Sequence, residues 1–206
     1  TDASRLLDIG CGEGYYDGML SARLPELSVY GVDIAKTAVR LAARDYPCHD
    51  YAVASSRNLP VMTSSIDLGM CIFSPVNDSE VARAVRPNGY YLEVGPAAQH
   101  LWELKTALYE QPREHSLLRR AIPGGALLQE GECHYEKQLT QTELQAVLAA
   151  TPFAFRGHRE KREGLREQSD FVITLGFSWR LFRLAAERDT VASGAVLGAA
   201  LESTDL

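Results

Sequence analysis

Three glycines stand at alternate positions directly after a short apolar segment, in the run LLDIGCGEGY at residues 6–15. Glycine lets the backbone turn sharply and come close to a ligand. The helical pattern that follows offers free N–H groups and a partial positive charge at its first turn. Tyr15 stands where dinucleotide enzymes need their third glycine, and no Gly-Lys-Ser/Thr sequence follows. The turn therefore predicts a ligand site that is neither a dinucleotide fingerprint nor a Walker A loop.

An acidic residue precedes this turn, and a second one ends the next predicted strand. The pattern from Asp8 to Gly14, D-x-G-x-G-x-G, is typical of the first motif of S-adenosylmethionine-dependent methyltransferases. The carboxylate of Asp8 suits a ligand with a cationic ammonium group. Asp33 lies 21 residues after Gly12, where a carboxylate can accept both ribose hydroxyls of an adenosine. The predicted cofactor site comprises Asp8, Gly10, Gly12, Gly14 and Asp33, with Ala54 and Ser55 beside the adenine.

Short apolar segments alternate with helical patterns through the first half of the chain. Strands separated by helices indicate β-α-β units and a parallel sheet. The continuous apolar run at residues 66–73 is typical of a strand that is covered on both faces. The predicted strands are 5–9, 27–32, 51–54, 66–73 and 90–94, and the predicted helices are 15–24, 35–46 and 78–85.

The second half has a different pattern, with fewer elements and a polar connection. Thr140 caps a predicted helix, and Glu143, three residues later, completes a capping box. A polar, basic stretch at residues 113–125 predicts a loop or lid. The predicted helices here are 99–110 and 141–150, and the predicted strands are 132–139 and 171–179.

These elements together predict the fold class and the extent of the domain. We expect an α/β, Rossmann-like class I methyltransferase fold with a mostly parallel seven-stranded sheet and helices on both faces. The methyltransferase domain should occupy residues 1–183. Residues 184–206 are rich in Ala, Ser, Gly and Thr, and we expect them to form a weakly structured C-terminal tail.

Composition restricts the compartment and the partners. The 206 residues carry a net charge of −6, which excludes a generally basic nucleic-acid coat but leaves room for a local basic patch. The four cysteines are scattered, so the sequence predicts neither a disulfide scaffold nor a metal site. The chain shows neither a membrane-spanning run nor a signal peptide, so we expect a cytoplasmic protein without membrane contact. The first residue is Thr1, and we expect the natural start to lie upstream.

Several segments in order resemble the RlmA family, whose members methylate guanine N1 in a hairpin of 23S ribosomal RNA. The segments lie at residues 7–16, 53–60, 100–105 and 151–155, and the resemblance runs from about Leu6 to Trp179. It implies S-adenosyl-L-methionine as the cofactor and a ribosomal RNA hairpin as the partner. Family members begin with a four-cysteine zinc ribbon and a linker helix, neither of which this sequence contains.

The resemblance also implies further cofactor contacts. They are Tyr16, Asp17, Ile34, His100 and Leu101. Guanine N1 carries a proton that must leave, and the sequence identifies no definite base for it. Asp78 and Glu80 follow the fourth strand and are candidates; Glu80 is the better match to the family, although its spacing suits a solvated helix face equally well.

The residues after the fourth strand and the positions of the cysteines argue against two classes of methyl transfer. Exocyclic-amine methyltransferases carry Asp or Asn, Pro, Pro and an aromatic residue after the fourth strand, whereas this chain reads IFSPV at residues 72–76. Cysteine-dependent pyrimidine methylation needs a nucleophilic thiol. Cys71 lies inside an apolar strand and is expected to pack in the core, and Cys11 is expected to be a small residue that fits the turn.

Two basic segments are the candidate RNA contacts. The candidates are Arg113, Arg119, Arg120, Arg159 and Arg162. A solvated surface with charge pairs four residues apart, such as Arg159 with Glu163, explains the second segment equally well. A small-molecule methyltransferase and a cofactor-binding module without catalysis are the alternative functions, and the sequence leaves open whether the chain forms a homodimer.

Overall fold

The computed structural model describes residues 5–117, 120–154 and 159–186. Seven strands and six α-helices alternate along most of this length, and a short 3-10 helix follows α5. The strands are β1 (Arg5–Ile9), β2 (Ser28–Asp33), β3 (Asp50–Val53), β4 (Ile66–Ile72), β5 (Val85–Pro96), β6 (Gly125–Leu139) and β7 (Phe171–Leu184). The helices are α1 (Tyr15–Ser21), α2 (Lys36–Asp45), α3 (Asp78–Ala84), α4 (Trp102–Leu108), α5 (Gln141–Ala150) and α6 (Arg159–Arg166).

One seven-stranded sheet contains all of these strands in the order β3-β2-β1-β4-β5-β7-β6. The pairs among the first five strands are parallel, and β7 is antiparallel to both β5 and β6. The strand order reverses between β3 and β4: β1 to β3 extend the sheet in one direction, whereas β4 pairs with the opposite edge of β1. Ligands in open α/β sheets bind at such a switch point, outside the carboxyl ends of the strands. The predicted fold class is confirmed.

Three buried apolar clusters hold the sheet and its helices together, the smallest of them around Leu6, Val29 and Met70. The first joins β1, β4 and β5 to α3 through buried side chains such as Leu7, Tyr91 and Val81. The second packs α4, α5 and α6 against β6 and β7. Each fully buried aliphatic or aromatic side chain contributes about 1.5–3 kcal/mol relative to its exposed state.

Several predicted boundaries were wrong in the second half of the sheet. The Pro87-Asn88-Gly89 sequence predicted a turn before the fifth strand, but it lies inside β5, where Asn88 has a φ of 60° and the pairing with β4 shifts its register. Strands β6 and β7 are much longer than predicted, because they form an antiparallel ladder from Gly125 and Leu184 to Leu139 and Phe171, with one shift of register between Leu127 and Gln129.

The sequence signal at the start of α5 predicted the structure correctly. Thr140 accepts a hydrogen bond from the N–H of Glu143, and the Glu143 carboxylate accepts one from the N–H of Thr140. The predicted capping box of α5 is therefore confirmed. Of the predicted tail at 184–206, Leu184 ends β7, and residues 187–206 lie outside the described residues. Within the described ranges, no helix is both long and apolar enough to cross a membrane.

Candidate functional site

The glycine turn connects β1 to α1 at the carboxyl edge of the sheet. Gly10, Gly12 and Gly14 have φ values of 86°, 55° and 77°, a left-handed conformation that glycine adopts without steric cost. A Cβ on Gly10 would lie 2.1 Å from Oγ of Ser74, so the turn packs tightly against the loop after β4. A Cβ on Gly12 would meet nothing within 4 Å. The turn is therefore closed at Gly10 and open at Gly12, where a ligand can approach the backbone.

Asp33, at the end of β2, faces this turn. One carboxylate oxygen accepts a hydrogen bond from the N–H of Gly12 at 3.0 Å, and the other accepts one from the N–H of Ala35 at 2.8 Å. Each oxygen keeps acceptor capacity for a second hydrogen bond. The carboxylate is therefore held in place and can still accept the two ribose hydroxyls of an adenosine.

The predicted adenine neighbours adjoin Asp33. The N–H of Ala54 donates to the carbonyl of Asp33 at 3.0 Å, which brings the end of β3 beside the end of β2. Ser55 follows directly, and its Oγ accepts a hydrogen bond from the N–H of Arg57. Ile34 is 76% exposed, an apolar side chain left in solvent beside the carboxylate. The structure thus brings these three predicted residues together with Asp33.

Two carboxyl groups are buried beneath the turn. Asp8 in β1 and Asp17 in α1 are 2% and 0% exposed and face each other, and in the described part of the chain no cationic side chain pairs with either of them. Burial raises the pKa of Asp8 well above its ordinary value of 3.8, and the neighbouring Asp17 raises it further. Burial also raises the pKa of Asp17 to about 6. A cationic group bound here would satisfy both.

Tyr51 is a member of this buried group that the sequence did not indicate. Its hydroxyl is buried beside the Asp17 carboxyl, and burial followed by the charge of Asp17 raises its pKa. The Tyr51 ring also fills the space beside Gly14 and Gly31. A tyrosine on the short strand β3 gives no local signal of this role, since its partners lie in β1 and α1.

Two of the cofactor contacts implied by the resemblance lie on opposite sides of one backbone turn. Leu101 is buried in the cluster of α4 and α5, and its N–H donates to the carbonyl of Thr174. His100, the residue before it, packs its ring against Phe73 and Phe177. Tyr16 is 41% exposed on the first turn of α1. The side chains of His100 and Tyr16 are therefore accessible, whereas that of Leu101 serves the core.

Hydrogen bonds fix the protonation of His100 and its neighbour His115. The N–H of Gly176 donates to Nδ1 of His100 at 3.3 Å, and Nε2 of His115 donates to the carbonyl of His100 at 3.2 Å. Burial lowers the pKa of both rings, so both are neutral at neutral pH. His100 therefore carries its proton on Nε2, and it is a hydrogen-bond donor on its free side and not a base.

The two candidate bases have different surroundings. The Glu80 carboxylate accepts hydrogen bonds from the N–H of Leu59 and from the Arg83 guanidinium, so both of its oxygens are engaged. The hydrogen bond from Arg83, ahead of the N–H of Leu59, holds the pKa of Glu80 below its ordinary value. Asp78 has a buried Oδ1 without a hydrogen bond, 3.7 Å from the Arg120 guanidinium.

The candidate RNA contacts are divided among three environments. Arg120 lies inside the site, where it donates to the carbonyl of Val76 in the loop after β4. Arg113 is exposed on the connection between α4 and β6, and Arg159 and Arg162 lie on α6. Arg159 pairs with Glu163 at 2.8 Å, as expected for a solvated helix face. Arg119 lies outside the described residues.

The two buried thiols, Cys71 and Cys11, are unsuited to act as nucleophiles. Burial raises the pKa of Cys71 to about 11 and raises that of Cys11 further, so both stay protonated at neutral pH. Both side chains are buried, which confirms Cys71 as a core residue. In the ranges that the structure describes, His, Cys, Asp and Glu side chains form no group of three that could hold a metal ion.

Comparisons with known proteins agree with this geometry. Residues 6–89 match a family described as a methyltransferase domain. The structure of YcgJ from Bacillus subtilis superposes with a TM-score of 0.58 at 19% identity, covering 89% of this chain and 92% of that one. The sheet order shows an α/β, Rossmann-like methyltransferase fold, and the match over residues 6–89 implies S-adenosyl-L-methionine as the cofactor.

Curated relatives divide into two groups. "Putative 23S rRNA (guanine-N(1)-)-methyltransferase YxjB" of Bacillus subtilis is 27% identical over 84% of this chain and 64% of its own length. The 23S rRNA (guanine(748)-N(1))-methyltransferase of Streptomyces fradiae is 35% identical over 50% of this chain and 37% of its own length. A malonyl-[acyl-carrier protein] O-methyltransferase of Methylococcus capsulatus is 31% identical over 42% of this chain and 35% of its own length. The chain thus spans less than two thirds of each of these relatives.

The residues present fit the cofactor. The open space at Gly12 lets the cofactor approach the backbone. The Asp33 carboxylate can accept its ribose hydroxyls, and the buried carboxyls of Asp8 and Asp17 can pair with its ammonium group. When bound, S-adenosylmethionine supplies an electrophilic sulfonium methyl group. The protein's task is then to align an acceptor with that group and to exclude water.

Proposed function

We propose that this chain transfers a methyl group from S-adenosyl-L-methionine to N1 of a guanine in a hairpin of 23S ribosomal RNA. The extent of the similarity carries this proposal. The match to the Bacillus subtilis relative covers 84% of the chain, whereas the family match ends at residue 89 and the O-methyltransferase match covers 42%. The similarity therefore extends past the cofactor-binding half into the second half of the chain, where we propose that the acceptor binds.

The acceptor side of the site supports the same proposal. The loop after β4 abuts the glycine turn through Ser74 and Gly10, so it lies where a methyl acceptor must be. Arg120 adds a positive charge to this loop, beside the carboxylate of Asp78. An N–H donor edge next to a carbonyl, as in guanine, suits a carboxylate next to a guanidinium.

The experiment that tests this function is methylation of 23S ribosomal RNA by the protein with S-adenosylmethionine. A methyl group on guanine N1 blocks the Watson–Crick edge, so reverse transcriptase should stop one nucleotide before the modified base. Mass spectrometry of the digested RNA should show 1-methylguanosine. If neither signal forms, while a metabolite extract acquires methyl groups from the same cofactor, the small-molecule alternative is correct.

Asp78 is the residue we propose to take the N1 proton, since the oxygens of Glu80 are already engaged. Replacing Asp78 with asparagine should lower the rate of methyl transfer about 100- to 10,000-fold, the usual contribution of a general base. The affinity for the cofactor should stay the same and the thermal midpoint should change little, because this oxygen makes no hydrogen bond and only a 3.7 Å ion pair with the partly exposed Arg120.

Glu80→Gln is the matched variant on the same helix. It weakens the acceptor for the buried N–H of Leu59 and the pair with Arg83, so it should lower stability by about 1–2 kcal/mol. We therefore expect Asp78→Asn to lower the rate of methyl transfer and Glu80→Gln to lower the thermal midpoint. Equal rates in the Asp78→Asn variant and the unaltered protein would remove Asp78 as the base.

A further inference from the structure

An aromatic cluster lies at the carboxyl edge of the sheet, beside the proposed methyl donor site. The Phe73 ring is 5.4 Å from His100 and 5.7 Å from Phe177. Tyr135 stacks on the other side of Phe177, with 6.0 Å between ring centroids and 27° between planes. We name Phe73, Phe177 and Tyr135 the aromatic cluster. Its members come from the end of β4, from β7 and from β6, so the fold assembles it from distant parts of the chain.

Both ends of the aromatic cluster are exposed. Phe73 is 46% and Tyr135 is 53% exposed, so these two large rings remain in contact with water. Phe73 also has a φ of 54°, an uncommon conformation for a residue with a Cβ. Its N–H donates to the carbonyl of Val94 at 2.9 Å, which holds the backbone in that conformation. The fold thus maintains an exposed ring at some conformational cost.

The aromatic cluster borders the cofactor site at two points. Phe73 is followed by Ser74, whose Oγ would collide with a Cβ on Gly10, so this end touches the glycine turn. At the other end, Tyr135 approaches Tyr16 on the first turn of α1. Burial raises the pKa of Tyr16, and the neighbouring hydroxyls of Tyr15 and Tyr135 raise it further. The aromatic cluster therefore adjoins the glycine turn through Phe73 and Ser74.

We propose that the aromatic cluster is the acceptor site, and that it takes one purine base unstacked from its neighbours in an RNA loop. This inference rests on the proposed RNA methyl transfer. Guanine N1 is inaccessible inside a stacked, paired helix, so the base must leave its stack to reach the methyl group. Stacking on exposed aromatic rings offsets the cost of that step. A planar base matches flat ring faces, and the Nε2–H of His100 adds one in-plane donor.

The test uses a 23S ribosomal RNA hairpin in which 2-aminopurine replaces the loop guanines one at a time. Its fluorescence reports stacking directly, and S-adenosylhomocysteine is added to fill the cofactor site. We compare Tyr135→Ala with Tyr135→Phe, which keeps the ring. Val172→Ala is the surface control, since Val172 is 44% exposed on the same pair of strands and outside the aromatic cluster. The second readout is kcat/KM for methylation of the unlabelled hairpin.

Tyr135→Ala should lower kcat/KM about ten- to a hundredfold and change the 2-aminopurine signal at one loop position. Tyr135→Phe and Val172→Ala should retain both, and Phe73→Leu should behave like Tyr135→Ala. Cofactor affinity should be the same in all variants. Methylation at the unaltered rate in Tyr135→Ala and Phe73→Leu would overturn the inference but leave the proposed function standing. A 2-aminopurine signal that depends on Tyr135, without any 1-methylguanosine in the hairpin, would show that the aromatic cluster binds a base but would overturn both its role as the acceptor site and the proposed function.

Discussion

Replacing Asp33 with alanine is expected to weaken binding of S-adenosylmethionine at least about a hundredfold, measured by titration calorimetry. Hydrogen bonds to a charged group contribute about 1.5–3 kcal/mol each, and this carboxylate is placed to accept two from the ribose. The same carboxylate holds the N–H of Gly12 and that of Ala35, so the variant also loosens the turn. Both losses act in the same direction on cofactor affinity.

Two further variants separate these causes. Asp33→Asn keeps the shape and one acceptor oxygen but removes the charge, so its affinity should fall between that of Asp33→Ala and that of the unaltered protein. Asp45→Ala removes an exposed carboxylate of α2 that pairs with the adjacent Arg44, and it should bind normally. Circular dichroism of the free proteins checks that each is folded. An Asp33→Ala protein that is folded and binds with unaltered affinity would exclude Asp33 from the cofactor site.

The contact between Asp33 and Gly12 was predictable because it follows from local rules. A glycine turn after one strand and an acid at the end of the next must come together when the two strands are parallel neighbours. The alternation of strands and helices indicated that arrangement, and the pairing of β1 with β2 confirms it. The structure brings Gly12, Asp33 and Ala54 together, as the sequence led us to expect.

The acceptor side was beyond the same reasoning. Tyr135 and Phe177 meet because β6 and β7 pair along their whole lengths, from Gly125 with Leu184 to Leu139 with Phe171. Such a ladder depends on non-local partners, whereas the sequence showed only two shorter apolar runs. Alternation did indicate that Tyr135 shares a face with Cys133 and Lys137, but it could not indicate which ring covers that face.

Protonation beneath the turn could not be predicted either. The sequence shows Asp8 and Asp17 nine residues apart, with no sign that both lie out of water. Their raised pKa values arise from burial first and then, for Asp8, from the charge of its neighbour. Burial is a property of the assembled sheet and helix, so the chemical state of this pair emerges only in three dimensions.

Replacing Asp8 with asparagine should stabilise the cofactor-free protein at neutral pH and should abolish its stabilisation by S-adenosylmethionine. A carboxyl group with a raised pKa in the folded state binds its proton more tightly there than in the unfolded chain. Its unfavourable effect is therefore absent below the ordinary value of 3.8, grows as the pH rises, and is complete above the folded-state value. Asparagine removes one of the two buried charges and with it this effect.

The pKa of Asp17, the other carboxyl group of this buried pair, indicates the scale of the destabilisation. A rise of its pKa from 3.8 to about 6 corresponds to about 3 kcal/mol of folding free energy at neutral pH. For a chain of this length, about 1 kcal/mol moves the thermal midpoint by about 2–4 °C. Without cofactor, the thermal midpoint of the unaltered protein should include a contribution that falls between about pH 4 and about pH 7, and Asp8→Asn should reduce it.

The cofactor should reverse the sign of this effect. A bound ammonium group favours the ionised carboxylates, so affinity for S-adenosylmethionine should rise as the pH rises through about 6. Thermal-shift measurements at about pH 5 and about pH 8, with and without cofactor, report the stability of the free protein and its gain on cofactor binding. Asp8→Asn should show a higher midpoint without cofactor and a much smaller gain with it.

Asp67→Asn provides the matched control, since Asp67 is a buried carboxylate that has partners. It lies 5% exposed at the start of β4 and pairs with Arg5 and Arg86, so its charge is compensated in the free protein. Removing that charge weakens both ion pairs, so the thermal midpoint should fall while the gain with cofactor stays normal. Opposite changes in two buried aspartates would show that Asp8 is unpaired because its partner is the cofactor. A fall in both midpoints would mean that Asp8 serves the fold.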